Sequence, residues 1–210
     1  MIVNQVDRIV AGGYNLKRSI DLDVNNDSLA DFRLSSEIWG SPGMGMHPSV
    51  TFMCLSPNSL MNGYFYADTV FLHHIEETTN DNSLVYINHK ENYSCQRIDS
   101  GDSVVSVRPN KFSIKYFHYG DKNSKLDTFH SDSLNLTSTS ITDLPVSYRV
   151  NDTVIYYNSS HHSGCHSMPN DEILYLGVKL TDSEKEKLGW IKMSIISEYQ
   201  IVLLETAIQK

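Results

Sequence analysis

Cysteine, basic residues, long apolar runs and helical periodicity are all scarce in this 210-residue chain. The cysteines Cys54, Cys95 and Cys165 allow at most one disulfide, so no disulfide framework is expected, and each reads as a small buried or loop residue. Lysine and arginine number 17 against 25 acidic residues, a net charge of −8. No basic stripe is left to neutralise phosphates, which argues against a nucleic-acid partner. No apolar run approaches a membrane span, so no transmembrane segment is expected. No stretch longer than about ten residues carries a helical apolar period. Signatures of common chemistries are missing as well. No G-x-S-x-G elbow exists, and Gly43-x-Gly45 lacks the strand–helix setting of a dinucleotide site.

Short alternating runs are what the chain does contain, within a hydrophobic content of 40%, enough for a real core. Ile2, Val6, Ile9 and Val10 suggest an edge strand broken by Gly12-Gly13. Alternating or apolar runs recur at 50–55, 69–75, 84–87, 104–107, 112–119, 146–150, 153–157, 172–180, 189–196 and 200–206. Asn151-Asp152 between two such runs signals a tight hairpin. Residues 76–83, 121–144 and 158–171 are polar and read as loops, the second as a long surface excursion with one short strand. Thr181 to Lys187 offers a single helical turn, because Thr181 can cap it and Glu184 follows three residues on. Trp190, beside Gly189 at a strand start, reads as a core residue. The expected fold is all-β: one domain over 1–210, built as a two-sheet antiparallel β-sandwich, jelly-roll-like or immunoglobulin-like, with little helix. The absence of a repeat argues against a propeller.

One stretch organises the rest, Ser19 to Leu34. Asp23, Asn25, Asp27 and Asp31 occupy positions 1, 3, 5 and 9 of a loop, and the carbonyl of Leu29 falls at position 7, the ligand rhythm of a calcium loop. Calcium wants six to eight oxygens, and short Asp and Asn side chains at alternate positions converge without large entropy loss. Asp21, Asp23, Asp27 and Asp31 repel one another without a cation, and Arg33 is the nearby relief. The likeness to EF-hands is partial. Leu34 stands where the bidentate Glu belongs, and Ser28 stands at the sharp-turn position usually held by glycine. The flanks alternate, Ile20 and Leu22 before the loop, Phe32 and Leu34 after it, so the unit is strand–loop–strand. The competing reading is a polar Asx-rich turn.

The stretch resembles the D-x-[DN]-x-D-x-x-x-D loops of FG-GAP-type repeats in extracellular bacterial β proteins. It is also similar to the IDLDxNxDxxxDF segment of exported bacterial β-sandwich proteins, in which a late YLGxxL…GWIxxxI segment recurs. Here that segment stands as Tyr175-Leu-Gly-Val-Lys-Leu180 and Gly189-Trp-Ile-Lys-Met-Ser-Ile195. The resemblance implies a calcium-bearing sandwich and no defined activity.

Met1 to Arg8 lacks the charged and apolar regions of a signal peptide. The expectation is nonetheless a secreted or cell-surface protein with its leader removed, because cytosolic free calcium is too low to fill a weak site of this kind. The expected role is non-catalytic, binding or structural, with calcium as cofactor and a glycan or cell-surface protein as partner. The alternative is a carbohydrate-active enzyme or its glycan-binding module, for which twelve tyrosines, Trp39 and Trp190 offer stacking surfaces. A third class uses His161, His162, Cys165 and His166 as soft-metal ligands. One cluster with no separated second pair falls short of a structural zinc site, so an inert loop is expected there. His73 and His74 lie in a strand and point to opposite faces, so that pair alone builds no shared site.

Overall fold

Alternation in the sequence becomes strands. The computed structural model describes residues 1–41, 45–81, 84–121, 128–131, 133–137, 139–142, 146–163, 168–182 and 185–210. Among the described residues every regular element is a strand: β1 (Ile2–Ala11), β2 (Arg18–Leu22), β3 (Phe32–Ser41), β4 (Gly45–Cys54), β5 (Ser59–Asp81), β6 (Leu84–Ser94), β7 (Ser103–Ile114), β8 (Tyr116–Phe117), β9 (Phe129–His130), β10 (Ser133–Asn135), β11 (Thr139–Thr142), β12 (Val146–Val150), β13 (Thr153–Ser163), β14 (Ile173–Asp182), β15 (Lys185–Ser197) and β16 (Gln200–Ile208). No helix among them is long and apolar enough to cross a membrane.

Two sheets result. The larger runs β1-β16-β15-β14-β5-β6-β13-β11, with β7 and β9 on β5, β8 on β14 and β12 on β13. The smaller runs β10-β4-β3-β2. The described ladders are antiparallel except β6–β13, which is parallel. Period-two burial packs the sheets together. Leu174, Leu176, Val178 and Leu180 point inward from β14, Ile191, Met193 and Ile195 from β15, and Ile201 and Leu203 from β16. The smaller sheet answers with Leu22, Phe32, Leu34, Val50 and Phe52, and all of these form one cluster. The Phe32 and Phe52 rings stack 5.3 Å apart. The fold is thus a two-sheet β-sandwich, and it is not closed into a barrel.

Buried hydroxyls cross-link the layers. Ser36 is fully buried on β3. It accepts the Gly12 amide at 2.9 Å and donates to the Tyr199 carbonyl, so β3 is tied to the end of β1 and to the β15–β16 turn. These two bonds offset the cost of taking that hydroxyl out of water.

Several polar stretches are more structured than their composition suggests. The expected loop 76–83 belongs largely to strand, because β5 and β6 pair through Asp81↔Leu84. Glu76 faces His89 and Glu77 faces Asn88 across that ladder. Complementary cross-strand partners let a polar sequence hold a strand without a buried face. Residues 121–144 likewise contain β9, β10 and β11, and Leu136 among them is fully buried, its amide on the Val50 carbonyl at 2.7 Å. The helical turn expected at 181–187 falls partly on residues 183 and 184, which lie outside the described residues, and its described residues are strand. Thr181, Asp182, Lys185, Glu186 and Lys187 are ladder residues, with Asp182 opposite Lys185. β13 extends through Ser163, so His161 is a strand residue. Trp190 is half-buried and meets Tyr175 edge-on at 5.2 Å instead of entering the core. Cys95 is disulfide-bonded, within the single bridge that three cysteines allow. Cys54 keeps its thiol, which faces the His130 carbonyl at 3.9 Å.

Gly189 shows why the late G-W-I segment starts as it does. A Cβ there would lie 2.2 Å from the Ala207 carbonyl oxygen and 2.6 Å from Ile208 Cδ1. The β15–β16 ladder therefore closes only over a residue without a side chain. Gly189→Ala is expected to destabilise the fold by about 1–3 kcal/mol, the usual cost of overpacking a filled interior. Urea unfolding of parent and variant measures it, and an unchanged midpoint would contradict this packing.

Candidate metal centres

The Asp-rich loop spans 23–31 between β2 and β3, closed by the pair Leu22↔Phe32 and by the Asp31 amide on the Leu22 carbonyl at 2.8 Å. It is the strand–loop–strand unit that the alternation predicts. Val24 within it is fully buried, which pins the loop to the core. The polar side chains turn back into the loop. Asp23 Oδ1 and Asn25 Oδ1 share the Asp27 amide at 3.2 and 3.0 Å, and Asp23 Oδ2 accepts the Ser28 amide at 2.7 Å. Asp27 accepts the Leu29 amide at 2.8 Å and the Asn25 side-chain amide at 2.9 Å. Asp31 accepts the Val24 amide at 2.8 Å. Leu29 sends its side chain into solvent. Ser28 makes the sharp turn at φ 73°, in the region that favours glycine, and Asn26 sits at φ 62°.

Salt bridges among the described residues do not neutralise this loop. Arg33 is committed elsewhere, in a two-pronged contact with Asp21 at 2.6 and 2.8 Å across the β2–β3 ladder. That contact holds the Asp21 carboxyl below its usual value. Among the described residues no ion pair reaches Asp23, Asp27 or Asp31. Burial pushes the Asp31 carboxyl up to about 6 against the pull of the Val24 hydrogen bond, and the charges of Asp27 and Asp23 add to the rise.

A second group lies on the part of the larger sheet that the core leaves open. His74 and Glu76, two apart on β5, share a face, and His89 on β6 stands opposite Glu76. One ligand atom from each lies within 4.8 Å of the others. Among the described residues this is the group of three His, Cys, Asp or Glu side chains that closes to that span; a cation in the Asp loop has to draw its carboxylates further in. His89 Nδ1 is buried and makes no hydrogen bond, although Glu76 Oε2 is 3.3 Å away. Tyr157 stacks on the His89 ring at 5.1 Å. Glu91 lies 3.8 Å from His74 Nδ1 and accepts hydrogen bonds from the Tyr93 hydroxyl at 2.8 Å and the Tyr157 hydroxyl at 3.2 Å. These contacts push both phenols up. The sequence reading took Glu76 for a loop residue and so missed the group. H-x-E places both side chains on one face only once position 76 is in a strand, and the pairing with β6 is what puts it there.

His73 points the other way, as expected, and meets Asp102 at 2.6 Å. Burial pushes Asp102 up, but amides of Asp99 and Ile98 and the His73 ring outweigh it, so the carboxyl sits below its usual value. The pair clips the turn after β6. His161 stacks on Tyr93 at 4.6 Å. The His162 side chain, Cys165 and His166 lie outside the described residues.

No protein-family model, curated protein or solved structure matches this chain. One further feature is a cavity of about 360 Å³, walled in part by Tyr119, Tyr175, Trp190, Asp121 and Glu205. Lys192 lies 5.9 Å from the Tyr175 ring centre and 3.7 Å from Glu205.

The raised Asp31 carboxyl has a pH consequence in metal-free protein. A group that binds its proton more tightly folded than unfolded favours the folded state at low pH, and that contribution is lost as pH rises through the folded value. In EDTA, the stability difference between parent and Asp31→Asn should therefore change between about pH 4 and 6, the parent losing ground as pH rises, and level off above that. Urea unfolding across this range measures it; parallel profiles would remove the assignment.

Proposed function

We propose that loop 23–31 is a structural calcium site and that the protein is an extracellular, non-catalytic β-sandwich with a binding or structural role at a cell surface. The observation that carries this reading is the gathering of Asp23, Asn25, Asp27 and Asp31 in one hairpin loop whose side chains fold back on its own amides, with no ion pair to any of the three carboxylates among the described residues. Oxygen-only donors of high negative charge suit a hard cation. The Leu29 carbonyl is the proposed backbone ligand. The pattern is also that of the FG-GAP-like loops it resembles, and an extracellular setting supplies calcium at the level such a site needs.

Calcium in the loop would hold the β2–β3 register, because Leu22 and Phe32 at its two ends both feed the core. A one-residue slip would turn those side chains outward. Without a bidentate Glu the dissociation constant should be on the order of 10⁻⁴ M, as in extracellular modules. A hundredfold excess of calcium then stabilises the fold by about 2.7 kcal/mol. Magnesium should do less, since it demands a tighter octahedral shell. Melting curves in EDTA, calcium and magnesium test this for parent and Asp27→Ala. An unmoved transition in calcium, or a full response in the variant, would reduce the loop to a polar turn.

The cavity between Tyr119, Tyr175 and Trp190 supports the second reading, a glycan-binding module. Aromatic faces flanked by carboxylates can stack on sugar rings and hydrogen-bond their hydroxyls. A glycan array probed with parent and Trp190→Ala decides it: binding lost in the variant favours the reading, and a blank array with the parent removes it.

A further inference from the structure

We propose that His74, Glu76 and His89 form a mononuclear site for a divalent transition cation of the zinc class, independent of the Asp loop. The backbone has already done the sorting. Two ligands come from one strand two residues apart, and the third faces one of them across an antiparallel ladder. Side chains so placed rise from one face with little freedom to separate. Their ligand atoms lie within 4.8 Å of one another. Tetrahedral zinc with ligands at about 2.0–2.2 Å needs neighbours roughly 3.3–3.6 Å apart. Small side-chain rotations of the exposed His74 and Glu76 cover that difference.

Ordinary ion pairing accounts poorly for the arrangement. The contacts His89 Nδ1–Glu76 Oε2 at 3.3 Å and His74 Nδ1–Glu91 Oε1 at 3.8 Å are long for charge-assisted hydrogen bonds. The buried His89 Nδ1, without a hydrogen bond, faces a carboxylate oxygen, and a shared cation satisfies both. Imidazole nitrogen with one carboxylate selects zinc, copper or nickel over calcium and magnesium. Outer contacts are also in position. Tyr157 stacks on His89 and fixes its ring. Glu91 lies 3.8 Å from His74 Nδ1, near enough to close on it, and is itself held by Tyr93 and Tyr157. A carboxylate behind a ligating histidine is the usual support of such sites. Three protein ligands leave a further coordination position to solvent.

The test is zinc binding to the full chain by isothermal titration, with cobalt absorption to report the coordination geometry. The parent should bind zinc in preference to magnesium. His74→Ala and His89→Ala should each weaken zinc binding by at least about tenfold, and Glu76→Gln by a similar factor. Asp27→Ala and His161→Ala should leave it unchanged, which separates this site from the calcium loop and from the His/Cys cluster. Cobalt should give the intense visible bands of a four-coordinate site in the parent, lost in His74→Ala. Far-UV circular dichroism checks folding, and should His89→Ala fail it, the exposed positions 74 and 76 decide. Zinc binding unchanged in His74→Ala and Glu76→Gln, or absent from the parent, overturns the proposal.

Discussion

Contact between two apolar sheet faces is the constraint on which the rest of this structure depends. One face is the ladder of β14, β15 and β16, and the other is the hairpin of β2 and β3 with β4 beside it. Because strand side chains alternate, that contact fixes the register of every strand that shares it. Phe32 and Leu34 must face in, so Arg33 between them faces out and finds Asp21 on the neighbouring strand. The loop between β2 and β3 inherits its span from the same requirement. Its charged groups turn in on one another because both ends are held and Val24 is locked in the core.

A different balance rules the sheet beyond the core. β5 starts inside the sandwich at Ser59 and Met61 and runs outward for 23 residues. Among the described residues, β6, β7, β12 and β13 add nothing to the buried core cluster. Their order rests on ladder hydrogen bonds and on cross-strand pairs, each worth only about 0.2–1 kcal/mol. Regions of that kind open locally at lower free energy than a packed core. A metal tying β5 to β6 would stiffen this extension much as calcium would stiffen the β2–β3 hairpin. Both candidate centres thus sit on hairpins, one at the closing loop and one along the ladder. Their donor sets differ, oxygen alone in the first and nitrogen with oxygen in the second, so the two would draw different cations from the same medium.

What was legible in the sequence, and what was not, follows one physical line. Ile20 and Leu22 before the loop and Phe32 and Leu34 after it announce two strands with inward faces, because period two with one apolar set has a single stable solution. Asn151-Asp152 marks its hairpin for an equally local reason, since Asn151 tolerates the positive φ that the turn uses. The late Tyr175–Leu180 and Gly189–Ile195 runs are strands of the core ladder. Polar strands were unreadable. Residues 76–81 have no apolar period, and only the partner β6 makes them a strand. The Thr181–Lys187 capping pattern is local, and its described residues 181–182 and 185–187 belong to the β14–β15 ladder.

By itself, then, the sequence determined the β class, the two-layer burial pattern and the strand–loop–strand unit at 18–34, since each depends on neighbours a few residues apart. The tertiary structure alone decided the rest. Leu136 became core because β4 offers it a carbonyl, and Trp190 left the core for a cavity wall beside Tyr175. Glu76 met His89 because an antiparallel ladder brings together residues thirteen positions apart. Register is a property of the pair, and no single strand carries it.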